Sequence, residues 1–274
     1  MRSPAYVARR IKSMKVRGAN EIAIYSLDYL KKFCRKYGFG LKFEVAAMII
    51  ERARPTAVVL HNCLEIVKRK KKLKTFDFLI KKLKNSSKKI AKHGSRLIDN
   101  GDVVLTHCNS SEVIAVLKNA KNEGKDFSVI ATITEPLLQG VKTARELARS
   151  GIKTTLIVDS AVGYFMRGID MVMVGTDAMR IVEPKGVINK IGTSLIAIAA
   201  KNYNKPFYVI GNTLKIDKRE YIVIEERPPE EVHKPIRGVR IRNPAFDLTE
   251  WKYVKAVVTE KGVKSVRDIL RLKI

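Results

Sequence analysis

Acidic side chains are scarce in this sequence: 27 Asp and Glu stand against 54 Lys and Arg, a formal net charge of +27. Adaptation to heat alone raises Lys and Glu together. The imbalance therefore leaves two readings. One is a solvated, lysine-rich surface in a salty or hot cytosol; the other is attraction to polyanions, either nucleic acid or phosphorylated metabolites. Aromatics are also few, at 7%, and the basic clusters Lys68–Lys74 and Lys81–Lys92 do not interleave them with the charge, which argues against a base-stacking surface. The three cysteines, Cys34, Cys63 and Cys108, are odd in number and lack metal-ligand spacing, so neither a disulfide framework nor a thiolate metal site is expected. No apolar run is long enough to span a membrane, and the longest, near 187–200, is broken by Asn189, Lys190 and Gly192. Arg9, Arg10 and Lys12 interrupt any signal-peptide core. A cytoplasmic protein with reduced thiols is the expectation.

What is present is a change of pattern near Asn100-Gly101, a turn signal. Before it, residues 1–100 read as helical. Ile22–Tyr37 is punctuated by Gly38 and Gly40, and Glu44–Arg52 stops before Pro55. A third helix takes Pro55 in its first turn and runs into the Lys68 cluster, and Phe76–Ile98 is long and amphipathic. After it, strands and helices alternate. The strands are 103–106, 127–132, 153–158, 169–174 and 206–210; the helices are 111–122, 140–149, 161–166 and 191–202. Strands at 219–225, 246–249 and 254–258 and a helix from Ser265 complete the tail, and 180–186 reads as a loop. The expected fold is α/β: a helical N-terminal domain, 1–100, followed by a Rossmann-like domain, 101–274, whose mostly parallel sheet carries helices on both faces.

In such sheets chemistry gathers outside the carboxyl ends of the strands. Two strand ends carry reactive groups. The apolar run to Val174 stops at Gly175, followed two residues later by Asp177; the run Val103–Thr106 is followed by His107, Cys108, Asn109, Ser110 and Ser111. A thiol and a carboxylate facing one crevice is the working site. Three further segments suit anions. In Arg17-Gly18-Ala19-Asn20 a glycine and following helix amides accompany a guanidinium. Lys190 lies in an apolar neighbourhood just before a helix, and Lys215 follows the 206–210 strand. Arg54-Pro55 alone reads as easily as a helix cap. His107 reads as a strand-end hydrogen-bonding residue, and Asp159 as a helix cap or a partner for a sugar hydroxyl.

Taken together, IKSMKVRGA (11–19), RPTAV (54–58), VLTHCNSS (104–111), DSAVGYFM (159–166), VGTDAM (174–179), VINKIGT (187–193), IEERPPEEV (224–232) and NPAFDLTEWKYVKAVVTEKGV (243–263) resemble the aldose-phosphate isomerases related to the alpha, beta and delta subunits of translation initiation factor 2B. The resemblance covers nearly the whole chain. It implies isomerisation of ribose 1,5-bisphosphate to ribulose 1,5-bisphosphate, with methylthioribose-1-phosphate isomerase as a close relative and a regulatory, non-catalytic subunit as the alternative. It implies Cys108 and Asp177 as the catalytic pair. Substrate contacts would fall on Arg17, Gly18, Ala19 and Asn20, on Arg54, on Ser110, Ser111 and Glu112, on Asn189 with Lys190, and on Lys215. It further implies a homodimer or higher homo-oligomer, a nucleotide effector such as AMP, no metal and no cofactor. The basic N-terminal helices would be the contact for nucleic acid or an initiation factor.

Three departures stand out. Glu135 replaces an Arg before Pro136, the 178–188 loop is longer than usual, and Gly-Thr-Asp (175–177) replaces Gly-Ala-Asp. In the expected mechanism Asp177, its pKa raised by the flanking apolar residues, protonates the ring oxygen, and Cys108 as a thiolate takes the C2 proton. A direct hydride shift is the alternative.

Overall fold

The computed structural model describes residues 2–13, 15–16, 18–221 and 224–272. Five helices come first: α1 (Pro4–Lys12), α2 (Ala19–Tyr37), α3 (Leu41–Glu51), α4 (Val58–Lys70) and α5 (Leu73–Ser95). Each puts one apolar stripe inward. Leu27, Leu30, Phe43, Ile50, Leu60, Leu64, Phe76 and Leu79 fuse into a single core. Pro55 does not open α4 as expected. It sits in a turn closed by the Ala57 amide on the Arg54 carbonyl (2.9 Å), and the helix starts at Val58.

The alternating part follows in the expected order: β1 (Val103–Thr106), α6 (Ser111–Asn122), β2 (Ser128–Thr132), α7 (Gln139–Arg149), β3 (Lys153–Ile157), the short α8 (Val162–Phe165), β4 (Met171–Gly175), β5 (Ala178–Arg180), β6 (Gly186–Lys190), α9 (Thr193–Asn202), β7 (Phe207–Ile210), β8 (Ile216–Asp217), β9 (Phe246–Thr249), β10 (Ala256–Thr259), β11 (Gly262–Lys264) and α10 (Val266–Leu270). Seven strands make one sheet, ordered β11-β10-β7-β4-β1-β2-β3. Only the β10–β11 pair is antiparallel; the others are parallel. β4 is buried at every position, as a central parallel strand requires. The strand order reverses between β1 and β4, so the crevice of a doubly wound sheet opens at their carboxyl ends.

The expected loop at 180–186 is found at 181–185, but it joins two strands that were not expected. β5 and β6 pair antiparallel and join β8 and β9 in a second, four-stranded sheet. Both strands are wholly buried, so no alternation of polar and apolar residues marked them. Arg180, fully buried, holds the turn. It donates to the Pro184 carbonyl (3.1 Å) and the Glu183 carbonyl (2.9 Å), and pairs with Asp217 (3.2 Å). The expected polar strand at 219–225 is absent among the described residues. Arg219 there chelates Asp217 and donates to the Pro55 carbonyl, and 222–223 lie outside the described residues. A domain boundary near residue 100 is our proposal; α5, which ends before it, packs on both parts, since Phe76 and Leu79 join the helical core and Ile90 packs with Val113, Leu117 and Val129 in the core of the large sheet. No described helix is long and apolar enough to cross a membrane.

Phe43 is fully buried, whereas Leu41, two residues earlier, is 80% exposed. Phe43→Ala should cost about 3–5 kcal/mol of unfolding free energy and Leu41→Ala under about 0.5. Urea unfolding followed by circular dichroism measures both.

Candidate active site

The Cys108 turn is tight because β1 passes into α6 within four residues. Ser110 caps the helix, its Oγ accepting from the Val113 amide (3.4 Å). Cys108 takes φ +67°, a left-handed conformation uncommon for a residue with a Cβ. A threonine after β2 and one on α7 hold it there: its amide donates to Thr134 Oγ1 (2.9 Å) and its carbonyl accepts from Thr143 Oγ1 (2.8 Å). Strain held in this way is a mark of functional turns.

Asp177 follows the neighbouring strand, its amide bonded to the Ile188 carbonyl of β6 (2.9 Å). The two turns touch through Gly175. A Cβ there would lie 2.5 Å from Ser110 Oγ, so only glycine lets the strand end close on the thiol turn. Cys108 and Asp177 border the same small recess, of about 80 Å3, together with Gly18, Ala19, Asn20, Ser110, Ser111, Glu112, Asn189 and Lys215. Both also border a wider cavity of about 420 Å3, which adds Arg54, Lys142, Lys190, Arg227, Leu138 and Phe246, with Glu21, Glu146 and Glu225 on its walls. The strand-end reasoning and the resemblance thus converge on one cleft. Arg17 lies outside the described residues.

Three expected substrate contacts are already bonded to one another. Glu112 is buried and accepts from Asn20 Nδ2 (3.2 Å), from Asn212 Nδ2 (2.9 Å) and from Lys215 Nζ (2.5 Å). Asn20, Glu112 and Lys215 line the recess as part of a bonded polar network, and Asn212 is a member that no local signal selected. Asn189 donates to Thr193 Oγ1 (3.0 Å), which donates to the Lys190 carbonyl (2.6 Å), fixing the turn that carries Lys190.

His107 is structural, as expected. Nδ1 faces Thr132 Oγ1 (2.6 Å) and Nε2 faces the Ile191 carbonyl (2.9 Å), so Nε2 carries the proton, and burial lowers the imidazole pKa and keeps the ring neutral. Asp159 spends both oxygens on amides, accepting from Thr134 (2.9 Å) and Glu135 (2.7 Å), so it braces a loop rather than meeting a sugar.

The expected thiolate meets an opposing influence in the free site. Burial pushes the Cys108 thiol up to about 12; the Asn109 amide and Lys190 oppose that rise, and Asp177 and Asp159 add to it. Lys190 is 5% exposed, and burial lowers its pKa. Among the described residues no carboxylate pairs with it within 4 Å. Two residues went unselected in the sequence. Arg227 lies in the quoted stretch IEERPPEEV and is held by Glu231, with Nε on Oε2 at 2.8 Å. Asp247 accepts from the Gly192 (2.8 Å) and Ser194 (3.1 Å) amides, its pKa raised by burial to about 6. A carboxylate four residues after an arginine was the signal for the first; nothing local marked the second. Among the described residues no group of three or more His, Cys, Asp or Glu is placed to hold a metal ion.

A doubly wound sheet with a thiol, a carboxyl group and buried cations at its switch point defines a site for anionic, sugar-sized ligands. The chain matches the Initiation factor 2 subunit family over residues 15–265 and belongs to it. It is 41% identical over 275 residues to the ribose 1,5-bisphosphate isomerase of Methanocaldococcus jannaschii, covering 93% of this chain and 89% of that one. It is 35% identical to the methylthioribose-1-phosphate isomerase of Geobacter sulfurreducens, covering 94% and 86%. The solved structure of translation initiation factor eIF-2B from Pyrococcus horikoshii superposes with a TM-score of 0.84 at 29% identity, covering 97% of this chain and 98% of that one.

Because an anion beside Lys190 would restore the pKa that burial lowers, binding should take up a proton once the free ammonium has titrated. Affinity for a phosphorylated ligand should therefore fall as pH rises through the free-state pKa. Lys190→Arg, always charged, should flatten that limb. Calorimetric titration between about pH 7 and 10 checks both.

Proposed function

We propose that the protein isomerises ribose 1,5-bisphosphate to ribulose 1,5-bisphosphate. The observation that carries this reading is the meeting of Cys108 and Asp177 in one cleft beside buried Lys190. The reaction moves two hydrogens, between four positions. The ring oxygen and C1 each gain one; C2 and its hydroxyl each lose one. Cys108 enters as a thiol, so its sulfur must first give up a proton. Asp177 on the same cleft accepts it and passes it to the ring oxygen as the ring opens. The thiolate, favoured by Lys190, then takes the C2 hydrogen and returns it to C1. Asp177, having delivered its proton, takes the 2-hydroxyl proton as the ketone forms and returns it to the Cys108 sulfur, which restores the thiol and balances the proton given to the ring oxygen.

The substrate choice rests on charge and shape together. Arg54, Lys142, Lys190 and Arg227 line the wider cavity, and Arg227 and Lys142 offer cations where Glu135 withholds one. The N-terminus of α2 at Gly18–Asn20 faces the smaller recess, where helix amides favour an anion. Two anion-holding ends suit a bisphosphate better than a methylthio sugar. Homodimerisation through the α/β part is proposed as well, with edge-strand Leu156, helix residue Tyr164 (85% exposed) and α9 residue Leu195 on its apolar outer side.

A second reading, a non-catalytic regulatory subunit, draws on the likeness to the Pyrococcus horikoshii eIF-2B structure. Turnover assays with ribose 1,5-bisphosphate, methylthioribose 1-phosphate and unphosphorylated ribose separate the two. Cys108→Ser and Asp177→Asn should each lower turnover at least about 100-fold with the melting temperature retained. Near-normal activity in either variant removes that residue from the chemistry, and no turnover of any sugar by the unaltered protein favours the regulatory reading.

A further inference from the structure

The charge excess has a location. Residues 68–92 hold twelve Lys and Arg and a single acid, Asp77, which is already engaged by Lys31. α5 spends one face on the core through Phe76, Leu79, Leu83, Ile90 and Ala91. Its opposite face is lysine. Lys74, Lys81, Lys84, Lys88 and Lys92 recur at helical spacing and are all exposed. The last four rise about 4.5–6 Å apart, so the row runs for about 16 Å along the helix. None of those four has a carboxylate within 4 Å among the described residues. At the N-terminal end of α5, Arg69, Lys70, Lys71 and Lys72 add an exposed knot where α4 turns into α5 through a left-handed Lys71.

Like charges three and four apart destabilise a helix. A solvated surface gains nothing from such a row, and one or two interspersed glutamates would relieve it. The composition also speaks to the partner. Protein interfaces deplete Lys and centre on apolar and aromatic anchors, whereas lysine ammonium groups on nucleic acid meet phosphates along the backbone without reading bases. On this row the large apolar side chains are Phe78, 59% exposed, and Leu73 at its edge, 36% exposed; the Lys70 ammonium lies 6.0 Å from the Phe78 ring. One aromatic is too few for a track of stacked single-stranded bases. We propose that the exposed face of α4–α5 binds the phosphate backbone of double-helical nucleic acid, independently of base sequence and of the catalytic cleft.

The test uses the full chain and fluorescence anisotropy with labelled 20-bp RNA and DNA duplexes, which distinguish the two sources of the same backbone. Binding should weaken with salt at a log–log slope of about −3 to −4, from about 0.9 per neutralised phosphate. Reversing Lys81, Lys84, Lys88 and Lys92 to Glu should weaken binding at least about tenfold and flatten the slope. The same four changed to Gln give a milder variant should the reversal unfold the protein, and melting curves report folding. A control lowers net charge equally at exposed positions elsewhere, by reversing Lys153, Arg167, Lys201 and Lys255, and should keep affinity within about threefold. Equal losses in the row and control variants, no duplex binding at 50 mM salt, or stronger competition by polyglutamate than by unlabelled duplex would each overturn the proposal.

Discussion

A buried carboxylate must be paired, and in this protein the pairing of Glu112 ties three parts of the chain to one point. Glu112 lies on α6 just beyond the thiol turn. Its partners are Asn20 at the start of α2, and Asn212 and Lys215 after β7. Removing one partner of such a buried pair typically costs about 3–5 kcal/mol, because the other charge is left without water or counter-charge. That penalty gives the network its positional authority. It brings the N-terminus of α2, from the helical part, against the carboxyl ends of β1 and β4, and so supplies one wall of the recess that Cys108 and Asp177 border.

From that arrangement follows the electrostatic character of the cleft. Burial, with Asp177 and Asp159 near, pushes the Cys108 thiol pKa up; Lys190 pulls the other way but is itself weakened by burial. Burial thus acts on both groups, and an anionic ligand would raise the Lys190 pKa that burial lowers. A cleft of this kind, whose groups are poised by burial rather than by exposed counter-ions, suits proton exchange with a bound sugar. The backbone contributes as well. The left-handed Cys108 and the Cβ-free Gly175 allow a closeness between the two turns that ordinary strand ends do not reach.

Surface and site use the same excess of cations differently. Inside, Lys215 is matched to Glu112 and Arg180 to Asp217, whereas buried Lys190 has no carboxylate within 4 Å among the described residues. Outside, on α5, the lysines stand without acids in a single row. The net charge is thus not a uniform coating, and its two uses separate by depth.

Much of this was legible along the chain, because the strands of the large sheet are short apolar runs between helix caps, and Cys108 and Asp177 each stand just past one of them. Ser110 declared its helix by type and place, and the Asn189–Lys190 turn declared itself by a cation set among apolar neighbours. The second sheet stayed hidden because β5 and β6 are buried on both faces and carry no period to read. Asn212 and Asp247 stayed hidden for a related reason: their partners lie far away in sequence, whereas Arg227 had a local signal in Glu231 four residues on. The residue order alone determined which side chains stand at strand ends and which face of α5 is basic, since periodicity and punctuation are local properties. Only the tertiary structure decided that burial raises the thiol pKa, that Glu112 is bonded to Asn20, Asn212 and Lys215, and that Arg180 closes a turn. Burial and long-range pairing set those outcomes, and neither is a property of neighbouring residues.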